Sequence, residues 1–181
     1  MRTRNVAAPF ADRAGQSRRA PRGAALVSVP KHMSTVHAEI EINAPPQRVW
    51  DTVMDPRRLK DWVTIHRSVS NISDEPLRRG STMDQMLHMR GVSFHVHWTL
   101  KDVSSPRRAE WEGQGPAHSE ARIRYQLSGD GKGPTRFAYT NEFHTPGGRL
   151  GDMASRFIVG ATSEREANRS LARLKALLER R

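Results

Sequence analysis

The stretch IEINAPPQRVWDTVMDPRRLKDW, residues 40–62, indicates how this chain folds. Pro46 stands where a helix would begin, because proline is well tolerated in the first helical turn. Apolar residues then recur at helical spacing, at Val49, Trp50 and Val53. The pair Asp55-Pro56 ends this helix and opens a second short one, from Arg57 to about Asp61. The stretch therefore predicts two short helices that lead to Trp62.

On both sides of this stretch apolar residues alternate with polar ones, as they do in a half-buried strand. Upstream, the alternating apolar positions are Val36, Ala38, Ile40 and Ile42. Downstream, Val63 and Ile65 alternate into the next strand, which turns His66 to the opposite side from Ile65. His66 could be a catalytic base, a metal ligand or an ordinary strand residue. The alternation predicts that it faces away from the interior, at the rim of any pocket.

Residues 82–89 and 92–100, TMDQMLHM and VSFHVHWTL, form the clearest pair of strands. Arg90-Gly91 between them suits a two-residue hairpin turn. In the register that this turn sets, Leu87 faces Phe94. The apolar residues that then share one face are Met83, Leu87, Met89, Val92, Phe94, Val96, Trp98 and Leu100.

Three more strands and a long helix complete the domain. The inward strand residues are Ala109, Trp111 and Gly113, then Ala121, Ile123, Tyr125 and Leu127, then Phe137, Tyr139, Asn141 and Phe143. The last segment, about Leu150 to Glu179, carries the apolar stripe of a helix, and continuing its spacing places Glu164 and Asn168 on the same face. This order predicts an α+β fold. One seven-stranded curved antiparallel sheet, with two short helices, would be covered by the long C-terminal helix.

The first 32 residues differ from the rest in composition. They contain seven basic residues and one acid, and so account for +6 of the net charge of +11. They show no helical or strand period, which predicts a disordered basic leader at residues 1–32. An alternative is that the natural start is Met33. We expect residues 33–181 to form the folded domain.

The chain contains no cysteine, which excludes disulfides, iron–sulfur clusters, thiolate zinc sites and cysteine nucleophiles. No run of about 18 apolar residues is present, so we expect no membrane span. These features fit a cytoplasmic protein.

Residues 40–62 resemble the opening of the START/Bet v 1-like superfamily, also called SRPBCC or polyketide cyclase/dehydrase and lipid-transport domains. The order of elements agrees over residues 33–181. The motif DWVTIH at residues 61–66 is similar to small actinobacterial members, some of which are toxins of toxin–antitoxin pairs. The resemblance implies a helix-grip fold with a cavity between the sheet and the last helix. It does not fix the function, because this fold serves carriers, cyclases, receptors and toxins.

The residues themselves are compatible with such a cavity. Small inward residues such as Gly113 and Ala121 leave volume between sheet and helix. Polar inward residues would be costly if dry and unpaired, and they fit a partly wet pocket. The alternative is a closed core whose polar groups satisfy one another. The expected ligand-binding residues are Leu87, Phe94, Trp98, Trp111, Tyr125, Tyr139, Asn141, Phe157, Glu164 and Asn168.

Catalysis in this pocket would need a general acid or base. Glu164 is the candidate, with Tyr125 or Tyr139 as a donor to an enolate. A single carboxylate on a helix is more often solvated or ion-paired, so the catalytic residues stay unassigned. His95 and His97 alternate with apolar residues and belong to the outer, polar sheet face, and we expect neither a metal nor another cofactor.

The sequence thus predicts a protein that binds a small hydrophobic or amphipathic molecule, and the preferred interpretation is that it does so without catalysis. The first alternative is a cyclase or dehydratase-like enzyme that uses the same pocket. The second is a toxin with an antitoxin partner. We expect a monomer or weak dimer and no specific nucleic-acid partner, because Trp50, Trp98 and Trp111 belong to core faces and not to an exposed stacking surface.

Overall fold

The computed structural model describes residues 32–89, 91–145 and 164–180. The predicted leader lies outside this part of the chain apart from His32, which opens the first strand, and so does the predicted helix start near Leu150. The elements are β1 (His32–Ile42), α1 (Pro46–Val53), a 3-10 turn (Pro56–Arg58), α2 (Leu59–Trp62), β2 (His66–Ser70), β3 (Thr82–Met89), β4 (Val92–Ser104), β5 (Arg108–Gln114), a 3-10 turn (Pro116–His118), β6 (Glu120–Ser128), β7 (Thr135–Thr145) and α3 (Glu164–Glu179).

The seven strands form one antiparallel sheet in the order β1-β7-β6-β5-β4-β3-β2. The chain starts at one edge with β1 and passes through α1 and α2 to the opposite edge. It then returns strand by strand until β7 pairs with β1. The sheet, the two short helices and the long last helix confirm the predicted helix-grip fold.

The hairpin β3–β4 has the predicted register. Leu87 pairs with Phe94, and Met89 pairs with Val92. Gly91 in the turn has a φ of +83°, in the left-handed region that glycine adopts without a steric penalty. The two alternations therefore share one face, as the sequence predicts, and it is buried except beside the turn, where Val92 is exposed.

Residues at the ends of the two short helices explain why these helices form. Pro46 lies in the first turn of α1, and the Asp55 side chain accepts a hydrogen bond of 2.8 Å from the Arg57 N–H, which starts the 3-10 turn. At the end of α2, Trp62 is buried and packs edge-on against the rings of Tyr125 and Phe137, with centroid distances of 6.4 and 6.5 Å. The helix pair is thereby anchored on the inner face of the sheet.

The last helix, α3, closes the same face. Leu171, Leu174 and Leu178 are its buried apolar residues. Near its C-terminal end the Glu179 carboxylate accepts a hydrogen bond of 2.7 Å from the Asn43 N–H, just after β1. Burial of one stripe and this polar contact fix α3 across the sheet.

The prediction that Val63 and Ile65 belong to a strand is wrong. Val63 closes α2, its N–H donating to the Leu59 carbonyl, and β2 begins only at His66. The His66 N–H donates to the Val63 carbonyl at 3.1 Å, which makes this segment a turn. The alternation that suggested a strand therefore reflects two turn residues that both contact the interior.

Candidate functional site

A cavity of about 110 Å³ lies between the inner sheet face, α2 with the turn that follows it, and α3. We call it the inner cavity. Its wall is mostly apolar and aromatic, with a few polar side chains. The lining residues are Leu59, Trp62, Val63, Ile65, Met83, Gln85, Leu87, Met89, Phe94, Val96, Trp98, Trp111, Ala121, Ile123, Tyr125, Tyr139, Asn141, Phe143, Glu166, Ala167, Ser170 and Leu171.

Seven of the ten residues expected from the sequence to bind a ligand line this cavity, and all seven lie on strands. They are Leu87, Phe94, Trp98, Trp111, Tyr125, Tyr139 and Asn141. Phe157 lies outside the described residues. The period of two along each strand brings these side chains together.

The placement of Glu164 and Asn168 in the cavity is wrong. Both are exposed, and neither lines the inner cavity. The predicted stripe is confirmed at Leu171, Leu174 and Leu178, which are buried. One turn earlier the cavity is lined by Ala167, so Asn168 lies one residue away from that face, toward solvent. Glu166 is the acidic residue of α3 at the cavity, and it forms an ion pair of 3.5 Å with Arg169.

The His66 side chain bonds to a buried residue of β3, contrary to the predicted outward orientation, but it does not line the inner cavity. It pairs with Leu87 on β3, and a β-bulge between His66 and Ser68 breaks the simple alternation. Its Nδ1 lies 2.9 Å from Nε2 of the buried Gln85, whose Oε1 accepts a hydrogen bond of 2.9 Å from Trp98 Nε1. The three side chains form a chain of hydrogen bonds that begins in the cavity wall, at Trp98 and Gln85, and ends at His66 behind it.

This chain of hydrogen bonds fixes which nitrogen of His66 carries the proton. An indole N–H can only donate, so Gln85 must turn its carbonyl oxygen to Trp98 and its amide N–H to His66. Nδ1 of His66 is then the acceptor, and in the neutral ring the proton is on Nε2. Burial lowers the pKa of His66, which favours the same neutral form.

Two tyrosines face each other across β6 and β7 within the cavity wall. Tyr125 and Tyr139 are register partners with ring centroids 6.1 Å apart. Burial raises the pKa of both phenols, and a hydrogen bond with the Asn141 side chain partly offsets this rise at Tyr139. Both therefore stay protonated near neutral pH and are able to donate hydrogen bonds.

Two buried polar atoms of the cavity wall have no hydrogen-bond partner among the described residues. They are Nε1 of Trp62 and Oδ1 of Asn141. The side chains of Ser170 and Thr64, in contrast, bond to each other at 2.9 Å. The wall thus combines satisfied polar groups with one free donor and one free acceptor.

The outer face of the sheet carries a ladder of charges. Arg124 bonds to Glu110 at 3.0 Å and to Glu142 at 2.8 Å, and Arg122 bonds to Glu112 at 2.9 Å. On the hairpin, His97 Nδ1 lies 2.6 Å from the Asp84 carboxylate, the pair that the register predicts. Within residues 32–89, 91–145 and 164–180, no three side chains of His, Cys, Asp or Glu are placed to hold a metal ion.

All four tryptophans are buried, Trp62 being 2 % exposed and Trp50, the most exposed, 6 %. They are therefore part of the core and not a surface for stacking bases. In the described part of the chain no helix is long and apolar enough to span a membrane.

The fold and the cavity define a protein of the helix-grip class with a ligand-binding or cyclase-like architecture. The family model described as "Polyketide cyclase / dehydrase and lipid transport" matches residues 33–179, and the chain belongs to this family.

Two named relatives come from Mycobacterium tuberculosis, Toxin Rv0910 and Toxin MT0934. Each is 24 % identical to this chain over 83 residues, which cover 46 % of this chain and 58 % of the relative. The chain therefore matches little more than half of the length of these relatives.

Solved structures share the fold at low identity. The Zhui aromatase/cyclase from Streptomyces sp. R1128 superposes with a TM-score of 0.68 at 18 % identity, over 83 % of this chain and 96 % of that one. A conserved protein from Geobacillus kaustophilus gives a TM-score of 0.61 at 16 % identity, over 80 % and 95 % of the two chains. Likeness at this level of identity concerns the fold.

Proposed function

We propose that residues 33–181 form one domain that binds a small hydrophobic or amphipathic molecule, of lipid or polyketide type, in the inner cavity. The observation that carries this proposal is the composition of the cavity wall. Apolar and aromatic side chains surround a few polar groups, as in most small-molecule sites. Protein interiors are otherwise close-packed, so space of this size in a core is most simply explained by a ligand. A cytoplasmic location and a monomer or weak dimer go with this proposal.

The proposal is tested by filling the cavity from α3. Ala167 lines the cavity, whereas Ala172 on the same helix is exposed. We expect organic extracts of the purified protein and of Ala172→Phe to contain a small apolar molecule that mass spectrometry detects. Ala167→Phe should lack it. Equal recovery from the two variants would place the molecule elsewhere on the protein.

A second candidate function is a cyclase-like reaction in the same cavity. It is favoured by the presence of the Glu166 carboxylate and the two phenols in the wall of one cavity, because such chemistry needs a general acid or base and hydrogen-bond donors. In Glu166→Gln an enzyme would lose turnover of the extracted compound, whereas a carrier would keep its affinity. Glu164→Gln, at the exposed acidic residue of the same helix, is the matched control.

A third candidate is a toxin-like role, which the names of the mycobacterial relatives suggest. Expression of the chain alone would then arrest growth, and the product of a neighbouring gene would restore it. Normal growth on strong expression of folded protein contradicts this candidate.

A further inference from the structure

We propose that Trp62 Nε1 and Asn141 Oδ1 are the polar contacts through which the inner cavity selects its ligand. The ligand is accordingly a molecule without an anionic group, and its enclosed part is a single ring that carries a hydrogen-bond acceptor and a donor, such as a hydroxyl group. This inference rests on the proposed function and specifies the ligand class that the same site would take.

Both side chains are more than nine-tenths buried, with Trp62 2 % and Asn141 7 % exposed, and both line the cavity. Each leaves one polar atom without a partner among the described residues. Folded proteins rarely leave a buried polar atom unpaired, because its lost hydration is then not replaced. A ligand that pairs with both atoms would replace it.

Two other polar side chains of the wall are already occupied. Gln85 bonds to both His66 and Trp98, and Ser170 bonds to Thr64. Trp62 Nε1 and Asn141 Oδ1 are therefore the buried polar atoms of the described wall that a ligand would pair, and the Tyr125 and Tyr139 hydroxyls are further donors. The indole N–H requires an acceptor on the ligand, and the amide oxygen requires a donor.

The charges around the cavity disfavour an anionic ligand. None of the described residues that line it is Lys, Arg or His, and Glu166 contributes a carboxylate. An anionic head group would be buried without a cation, at a large cost in hydration. A fatty acid bound through its carboxylate is therefore disfavoured.

The cavity volume sets the size of the enclosed part. At about 110 Å³ it is similar to an apolar protein cavity of roughly 150 Å³ that admits benzene. A single ring is therefore about the largest group that this space would enclose.

The test uses three single-ring probes that differ only in one group: 4-propylphenol, propylbenzene and 4-propylbenzoate. Calorimetric titration of the full chain at pH 7 should rank them in that order. We expect the phenol to bind about tenfold more tightly than the hydrocarbon, as one or two buried hydrogen bonds would give. Trp62→Phe and Asn141→Leu should each reduce this ratio several-fold.

Trp111→Phe is the matched control, because it makes the same truncation in the same wall without removing an unpaired donor. It should change the affinities for phenol and hydrocarbon alike and leave their ratio unchanged. The ratio of the two affinities is measured within each variant, so a change that weakens the binding of both probes equally does not alter it. If Trp62→Phe does not fold, the inference is tested by Asn141→Leu and by the ranking of the three probes on the wild type.

Equal affinity for propylbenzene and 4-propylphenol would overturn the inference while the proposed function stands. The inference would also be overturned if Trp62→Phe and Asn141→Leu both left the ratio of phenol to hydrocarbon affinity unchanged, or if 4-propylbenzoate bound best. Failure of all three probes to bind would also overturn the inference, whereas the proposed function is decided separately by the extracts of Ala167→Phe and Ala172→Phe.

Discussion

Gly113 lies directly beneath the ring of Trp98, its register partner on β4: a β-carbon at position 113 would stand 2.6 Å from Cζ3 of that ring. No side chain tolerates so close an approach, so the absence of one at Gly113 is what allows the indole to lie where Gln85 can accept its N–H. The orientation of the polar chain in the cavity wall therefore depends on a glycine one strand away.

Gly113→Ala should push the Trp98 ring away and weaken its hydrogen bond to Gln85. We expect a loss of roughly 1–3 kcal/mol in the free energy of unfolding, as for other overpacked cores. Urea denaturation followed by tryptophan fluorescence measures it. Gly133→Ala is the control, because a β-carbon there meets nothing within 4 Å, and its stability should match or slightly exceed the wild type. Equal stability of the two variants would contradict the prediction.

His66 should make the unfolding free energy depend on pH. Burial holds its pKa below the ordinary value, so the folded state favours the neutral ring that accepts from Gln85. The contribution of neutral His66 to the free energy of unfolding is complete above its unfolded pKa of about 6.5. It is lost as the pH falls from there through the lower folded pKa.

This dependence is checked with urea titrations between pH 8 and pH 5 on wild type and His66→Asn. The asparagine keeps an acceptor for Gln85 but does not titrate, so the variant should lose less stability on acidification. His95→Asn, at an exposed histidine on the outer face, should retain the wild-type slope. A wild-type slope in His66→Asn as well would show that the chain of hydrogen bonds does not control this titration.

The parts of the fold that could be predicted are those with a strong local signal. The period of two in β3 and β4, joined through a turn that fixes the register, places Leu87 opposite Phe94 without any long-range information. The same rule puts Tyr125, Tyr139 and Asn141 on the inner face of their strands. Seven cavity residues followed from this rule alone.

The predictions that are wrong extend a regular spacing of residues beyond the point where the helix or strand is regular. The helical spacing from Leu150 predicts Leu171 correctly, but it predicts Asn168 and not Ala167 as the inward residue one turn earlier. A difference of one residue turns a side chain by about 100° around the helix. His66 follows a turn and precedes a bulge, so alternation from Ile65 does not apply. Gly113 was expected to leave open volume, but a ring from the neighbouring strand fills it, and the sequence around Gly113 contains no sign of that partner.

The charge ladder on the outer face should contribute to stability through Arg124. This side chain lies between Glu110 and Glu142, and those hydrogen bonds raise its pKa above the ordinary value. Arg124→Met leaves two carboxylates facing each other, and we expect it to cost about 1 kcal/mol, since the side chain is about one-third exposed.

Because the pairs are partly solvated, 1 M salt should remove most of this difference from the wild type. Arg136→Met is the control: Arg136 pairs with Glu39, and both side chains are more than half exposed, so no measurable change is expected. Unfolding midpoints in urea at low and high salt give both quantities. A loss for Arg124→Met that salt leaves unchanged would point to packing of the arginine stem instead of charge.

The hydrogen bonds between Thr64 and Ser170 should hold α3 over the cavity. The Ser170 hydroxyl accepts from the Thr64 N–H at 3.2 Å and lies 2.9 Å from the Thr64 hydroxyl, so it joins the turn after α2 to the last helix. Ser170→Ala leaves both Thr64 groups unpaired beside the cavity, at a cost of about 1–2 kcal/mol. Asn168→Ala, two residues away on the exposed side of the same helix, removes a polar group that the structure places outside the cavity. Amide hydrogen exchange of α3 should therefore accelerate in Ser170→Ala and not in Asn168→Ala. The opposite result would mean that the buried face of α3 runs through position 168, as the sequence alone predicts, and that Ser170 does not fix the helix.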